Sequence, residues 1–218
     1  MTAFADQGSP VAILFAATRW ERNAILRGCK RVQRAPGSPP RWQVQSGPTH
    51  IELVETGIGL ASAARAAVAL HWDGPAPVFV SMGCGGALSV RLVAGDVVVA
   101  DVVVDAEGAR YNVDPAALKW LERCVPRAAT GAILSVEAPL LDAAAKQIAG
   151  RTTKALAVDM ESAAIARTAA LRGARFVAVR VILDDACTSL EASSASLTAL
   201  PLQAVEKRLA DLAKALVF

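Results

Sequence analysis

The chain has 218 residues, of which 54% are hydrophobic and 20% charged, enough apolar matter for a substantial core in one domain, residues 1–218. Its formal net charge is +3 and the surplus Lys and Arg are scattered, which argues against nucleic acid as a partner. No apolar run is long enough to span a bilayer, and "MTAFADQGSP" lacks a basic flank and an apolar signal core, so a cytoplasmic protein without stable membrane insertion is expected.

Aromatics make up only 5%, so Ala, Val and Leu must fill most of the core. Cys29, Cys84, Cys124 and Cys187 form no CxxC pair and read as free thiols of a reducing compartment. With His50 and His71 the only histidines, no metal site and no cofactor are expected.

In chain order, "VAILFAA" reads as a buried strand and "RWERNAILRGC" as a helix with Glu21 in its first turn. "KRVQRAPGSPPR" reads as a loop, and "WQVQSG" and "HIELVET" as two strands joined by a turn. "GIGLASAARAAVALHW" places glycines before a helical Ala pattern, and "APVFVSMG" is a buried strand running into the glycine cluster "GCGGAL". "AGDVVVADVVVDAEG" is β-rich, and Asp114-Pro115 cap and open a helix. "GAILSVEAPLL" is a strand and a loop, and "DAAAKQIAG" a helix closed by Gly150. "KALAVDM", "ESAAIARTAALRG" and "RFVAVRVILDDA" read as strand, helix and strand, and an amphipathic helix follows Pro201. This alternation, with continuously apolar strands, predicts an α/β protein: a three-layer α/β/α sandwich with a central mixed sheet. Ligands of such folds gather beyond the C-terminal ends of strands. Glu21, the Gly57/Gly59 turn, the Gly83–Gly86 cluster, Met160-Glu161 and Asp184 all follow apolar runs.

Each of these has an ordinary explanation. "GIGLAS" lacks the third glycine and the downstream acid of a dinucleotide fingerprint, so a tight strand-to-helix turn is favoured. "GCGGAL" either bends the sheet or brings backbone N–H groups close to a ligand. Cys84 has no His near it in sequence and reads as inert. Glu161 at a helix start favours the helix dipole. Of Asp184 and Asp185, adjacent on a strand, one faces the sheet's end and the other solvent. Taken together, however, Glu21, Glu161 and Asp184 stand at three strand ends of one sheet, and carboxylates in contrasting environments suit acid/base work on a glycosidic bond.

The segment "AVDMESAAIARTAALRGARFVAVRVILDDA" resembles the core signature of the nucleoside phosphorylase/nucleosidase superfamily, in particular the 5′-methylthioadenosine/S-adenosylhomocysteine nucleosidases. "VETGIGLASAARAA" and "VSMGCGGALSVRLVAGDVVVADVVV" are similar to further family blocks in the same order. The resemblance implies a nucleoside phosphorylase-like fold and a small-molecule nucleoside substrate. Glu21, ending "FAATRWE", matches the water-activating base, and Asp184 the acid that protonates the purine at N7. Met160 and Glu161 match the pair that holds the ribose. The Gly83, Cys84, Gly85 turn matches the loop beside ribose and nucleophile, and Leu140 stands where the family's base-stacking aromatic lies. A homo-oligomer, a dimer, is implied as well.

The chemistry stands on its own terms: a C–N bond breaking through an oxocarbenium-like state needs a proton on the leaving base and negative charge near the sugar. Water or phosphate remains to be chosen. A phosphate dianion wants Arg or Lys, and Arg19 is the only nearby candidate, so hydrolysis is favoured over phosphorolysis. A non-catalytic nucleoside-binding protein would not need all three carboxylates. Two departures bear on substrate: Leu183 stands where the family has Ser, and "SVEAPL" replaces "SGDAF". Both make the expected pocket more aliphatic and resemble the hopanoid-associated branch, whose substrate is an adenosyl triterpenoid, adenosylhopane.

Overall fold

The computed structural model describes residues 11–46, 49–190 and 200–217. The segment "MTAFADQGSP" and the turn at residues 47–48 lie outside the described residues. The elements are β1 (Ala12–Ala16), α1 (Arg19–Gly28), β2 (Val32–Ala35), β3 (Arg41–Ser46), β4 (Thr49–Glu55), α2 (Leu60–Val68), β5 (Val78–Ala87), β6 (Val97–Asp105), β7 (Arg110–Asn112), α3 (Pro115–Cys124), β8 (Ala129–Ser135), α4 (Ala143–Thr153), β9 (Ala157–Asp159), α5 (Ser162–Leu171), β10 (Arg175–Asp184) and α6 (Leu202–Val217). No helix among the described residues is long and apolar enough to cross a membrane.

The expected α/β architecture is present, with a mixed sheet between helices. On one side α6 packs on α1 and α3; on the other α2 packs on α5. The strands are apolar on both faces because both faces are covered: β6 and β10 are buried almost throughout. β1 lies between β4 and β5, parallel to both, and β5 pairs in parallel with β10 over nearly its whole length.

The sheet also curls. β10 pairs with β6, β6 with β8, β8 with β9, and β9 returns to β5. With the β5–β10 pairing, five strands form a closed circuit. β1, β4, β3 and β2 extend from it as an open wing.

Three local readings are corrected. "KRVQRAPGSPPR" contains β2, paired antiparallel to β3; its side chains are mostly exposed, so it carries no apolar pattern to betray it. "GCGGA" is not a loop but the C-terminal part of β5, paired with β10 up to a register shift at Gly85–Gly86, opposite Ile182–Asp184. Gly150 does not close α4: the helix runs on to Thr153, with Lys154 in the left-handed conformation (φ 62°) as its cap. Gly150 instead lets the helix approach the Leu88 carbonyl, which an added Cβ would meet at 2.5 Å. The capping expected at Asp114 holds, its side chain accepting from Ala117 N–H ahead of Pro115.

Gly28 plays a similar part at the α1–α6 crossing. A Cβ there would stand 2.1 Å from the Ala210 carbonyl oxygen, and both partners are backbone, which cannot swing aside. Gly28→Ala should therefore cost about 1–3 kcal/mol of stability by overpacking, despite alanine's better helix propensity. Urea denaturation checks this; a stability equal to or above that of the parent would show that the two helices separate freely.

Candidate active site

Three strand ends each deliver one carboxylate to the same cavity. The first follows β1. Thr18 caps α1, its side chain accepting from the Glu21 N–H, while the Thr18 N–H and hydroxyl both donate to Glu21 Oε2 (2.8 and 2.9 Å). This reciprocal capping box fixes the carboxylate at the helix entrance. Its other oxygen, Oε1, accepts from the Cys84 N–H at 2.7 Å. Gly83 explains the close approach: a Cβ there would sit 2.5 Å from Oε1.

Glu161 precedes α5, but its side chain makes no capping bond. Instead Oε1 accepts from the Gly59 N–H at 2.8 Å and Oε2 from the Met160 N–H at 3.3 Å. Gly59 has φ 92°, a conformation that aims its N–H across to a residue far away in the chain. The "GIGLAS" segment is thus the expected tight turn, with a donor to Glu161 as its product. Burial pushes the Glu161 carboxyl up to about 7, with Asp159 adding to the rise and Arg180 and the Gly59 N–H opposing it.

Beneath Glu161 lies a buried network that the sequence reading did not single out. Arg180, only 2% exposed, sits in mid-strand on β10 and forms an ion pair with Asp159 (2.8 Å). It also donates to the hydroxyls of Ser81 and Ser162 at 2.7 and 2.9 Å. Asp159 in turn accepts from the Ser162 N–H at the start of α5 and from the Ser135 hydroxyl. The network ties β5, β8, β9, α5 and β10 together under the cavity floor.

Asp184 ends β10. Its carboxyl stands beside Gly86, where a Cβ would meet both oxygens at 3.4 Å. Its partner is Lys146 of α4, whose side chain is fully buried and whose ammonium also donates to the carbonyls of Asp185 (3.0 Å) and Thr188 (3.2 Å). Burial raises the Asp184 carboxyl above the ordinary carboxylate range, and Lys146 pulls the other way without cancelling the rise. Asp185 turns away, as alternation requires, and accepts from the N–H groups of Cys187 and Thr188.

The cavity between these groups measures about 220 Å³. Glu21, Cys84, Gly85, Leu140, Met160, Glu161 and Asp184 all line it, as the sequence reading anticipated for its site residues. Gly83 does not; it lies behind Glu21 and makes room for it. The sequence reading missed Lys146, Arg180, Thr18 and Asp159. Arg180 was detectable as a lone cation inside "FVAVRVIL", a run otherwise apolar.

Beyond its carboxylates the wall is aliphatic, with Ile58, Val136, Pro139, Leu140, Leu183 and Leu190, and no aromatic ring among the described residues. Ile58 is 61% exposed and marks the mouth. Arg19 is exposed and outside the wall, and no Arg or Lys contributes to the wall among the described residues. The Cys84 thiol is pushed well above its usual value by burial first and by Glu21 second, which makes it a poor nucleophile.

A fold of this kind with acids at neighbouring strand ends defines a class, and the comparisons name it: residues 13–217 match the family described as the Phosphorylase superfamily, and the chain belongs to that family. It is 30% identical over 188 residues to a 5′-methylthioadenosine/S-adenosylhomocysteine nucleosidase of Chromohalobacter salexigens, covering 73% of this chain and 80% of that one. Among solved structures, the S-adenosylhomocysteine nucleosidase of Streptococcus pyogenes in complex with 5-methylthiotubericidin superposes with a TM-score of 0.79 at 23% identity, over 97% of this chain and 98% of that chain. The futalosine hydrolase of Helicobacter pylori gives a TM-score of 0.82 at 18% identity, over 96% and 97% of the two chains. These last two likenesses speak to the fold.

The raised Glu161 carboxyl has a consequence for stability. A group whose folded-state value lies above its ordinary 4.5 stabilises the fold fully below that value, and the contribution is lost as pH rises towards about 7. Glu161→Gln should thus match the parent near pH 4 and exceed it by up to about 3 kcal/mol at pH 8. Chemical denaturation at both pH values reads the difference; a gap independent of pH would show that Glu161 is not held protonated by its surroundings.

Proposed function

We propose that the protein is a nucleosidase that uses water to cleave the N-glycosidic bond of a 5′-substituted adenosine and release adenine. The observation that carries this reading is the convergence of Glu21, Glu161 and Asp184 on one aliphatic cavity whose described wall holds no cation.

Each carboxylate has a different environment and hence a different task. Burial strengthens the hold of Asp184 on a proton, and in its protonated form Asp184 gives that proton to the purine as the glycosidic electron pair leaves with the base. Glu161 accepts hydrogen bonds from the ribose hydroxyls, and once ionised, above a pH of about 7, its negative charge favours the oxocarbenium-like sugar. Glu21 is fixed through three donors and still has acceptor capacity for water. It orients that water towards C1′ and takes its proton as the new C–O bond forms. A phosphate dianion would meet several acids and no Arg or Lys among the described wall residues, which favours water as the nucleophile.

The 5′ substituent is apolar on this reading. Leu183 and the Pro139-Leu140 pair leave an aliphatic wall without a stacking ring, and Ile58 extends that wall to solvent. An adenosyl triterpenoid such as adenosylhopane, with its base held inside and its hydrocarbon emerging at the mouth, suits these walls better than a short thioether.

The test is to incubate the protein with adenosylhopane and with 5′-methylthioadenosine, each with and without phosphate, and to follow free adenine and the 5-substituted ribose 1-phosphate. Adenine should appear without phosphate, faster from adenosylhopane. Asp184→Asn should lower kcat about 10²–10⁴-fold with the fold intact. A 5-substituted ribose 1-phosphate, with adenine released only when phosphate is present, would assign a phosphorylase instead, and turnover by Asp184→Asn close to the parent's would remove Asp184 from its role.

A further inference from the structure

α4 has one fully buried side chain, and it is a lysine. Of its longer neighbours on this helix, Gln147 is half-buried and reaches the Ala186 carbonyl, and Ile148 is exposed. A buried ammonium needs partners for all three protons, and Lys146 finds them in the Asp184 carboxyl and the carbonyls of Asp185 and Thr188. The carboxylate it meets is the one that faces the leaving base in the nucleosidase reading above, on which this inference rests.

We propose that Lys146 is a positioning residue for the reaction, its ammonium fixing the Asp184 carboxyl against the cavity wall and stabilising the negative charge that Asp184 acquires when its proton passes to the leaving base. The bonds balance without further groups. The Asp184 O–H breaks, the purine nitrogen takes the proton, and the carboxylate left behind already faces a cation. Lys146 does not line the cavity, so it acts through Asp184 and not on the substrate.

Its surroundings make that charge consequential. Towards Asp184 stand Lys146 from α4, Asp185 from the end of its own strand and the Cys84 thiol from β5, with Glu21 and Glu161 on other parts of the same cavity wall. Among the ionisable groups named here, Lys146 is the one cation, and the others are acids or a thiol. Burial and Asp185 keep the proton on Asp184, and Lys146 makes it possible to release.

The same ammonium closes a structural clasp. The segment after β10 is laced to the N-terminal part of α4: Gln147 donates to the Ala186 carbonyl, the Ala143 N–H to the Ser189 hydroxyl, and the Leu190 N–H to the Leu141 carbonyl. Loss of Lys146 therefore has a possible purely structural effect, and the experiment must separate the two.

The test is a carboxyl ¹³C NMR titration of Asp184, its resonance assigned by its absence in Asp184→Asn, in the parent, Lys146→Met and Lys146→Arg, alongside the pH dependence of kcat/KM for adenine release. Removing the cation disfavours the carboxylate, so Asp184 should titrate about one pH unit or more higher in Lys146→Met. Activity that needs the protonated acid falls as pH passes its titration, so the alkaline limb should move up by the same interval. At the plateau kcat should drop about tenfold with little change in KM. Lys146→Arg, which keeps the charge, should hold both midpoints near the parent's. If Lys146→Met does not fold, Lys146→Gln takes its place. An unmoved Asp184 midpoint in a folded neutral variant overturns the proposal, as does equal loss of activity in the Met and Arg variants with the limb in place. If the parent releases no adenine, the nucleosidase reading fails, and the NMR titration still decides whether Lys146 governs Asp184.

Discussion

Several acids in one apolar cavity repel one another and lose their hydration, and the rest of this molecule is arranged around that cost. Glu21, Asp159, Glu161 and Asp184 all reach the same cavity. Two solutions are used. Asp159 and Asp184 are each met by a buried cation from outside the wall, Arg180 and Lys146. Glu21 and Glu161 are met by backbone N–H groups, those of Thr18, Cys84, Gly59 and Met160. Placing the cations behind the acids leaves a wall of acids and apolar groups with no Arg or Lys in it among the described residues.

The glycines of β5 follow from the same constraint. Gly83 clears space for Glu21, Gly85 for the Val158 carbonyl and the Arg180 stem, and Gly86 for Asp184. Three different neighbours thus require three glycines in four residues. The missing side chains of Gly83 and Gly86 are the volume that two carboxylates occupy.

How far the sequence disclosed this can be seen residue by residue. The alternation of apolar runs with Ala-rich helices gave the α/β class, and acids placed just after such runs gave Glu21, Glu161 and Asp184. Those signals are local and periodic. Lys146 sits in "DAAAKQIAG", where a lysine on a helix reads as a solvated side chain, and only the position of β10 makes it internal. The glycine cluster was ambiguous because what it makes room for comes from α1, β9 and β10, remote in the chain. Gly150 looked like a helix stop because the carbonyl it packs against, Leu88, is likewise distant. What stayed hidden was in each case a partner supplied by another element.

The closed circuit of strands separates two kinds of border. β5 is flanked by β10 on one side and by β1 and then β9 on the other, and β10 by β5 and β6, so the strands that carry the site lie inside the sheet and not at its edge. The open wing ends at β2, whose outer edge is unpaired among the described residues. That edge carries Arg34, follows Arg31 and runs into Pro36, with Pro39 and Pro40 before β3. Positive charge and proline are what discourage edge-to-edge association. Replacing that border with β-branched apolar residues would turn the harmless rim of the sheet into a seed for aggregation while leaving the cavity untouched.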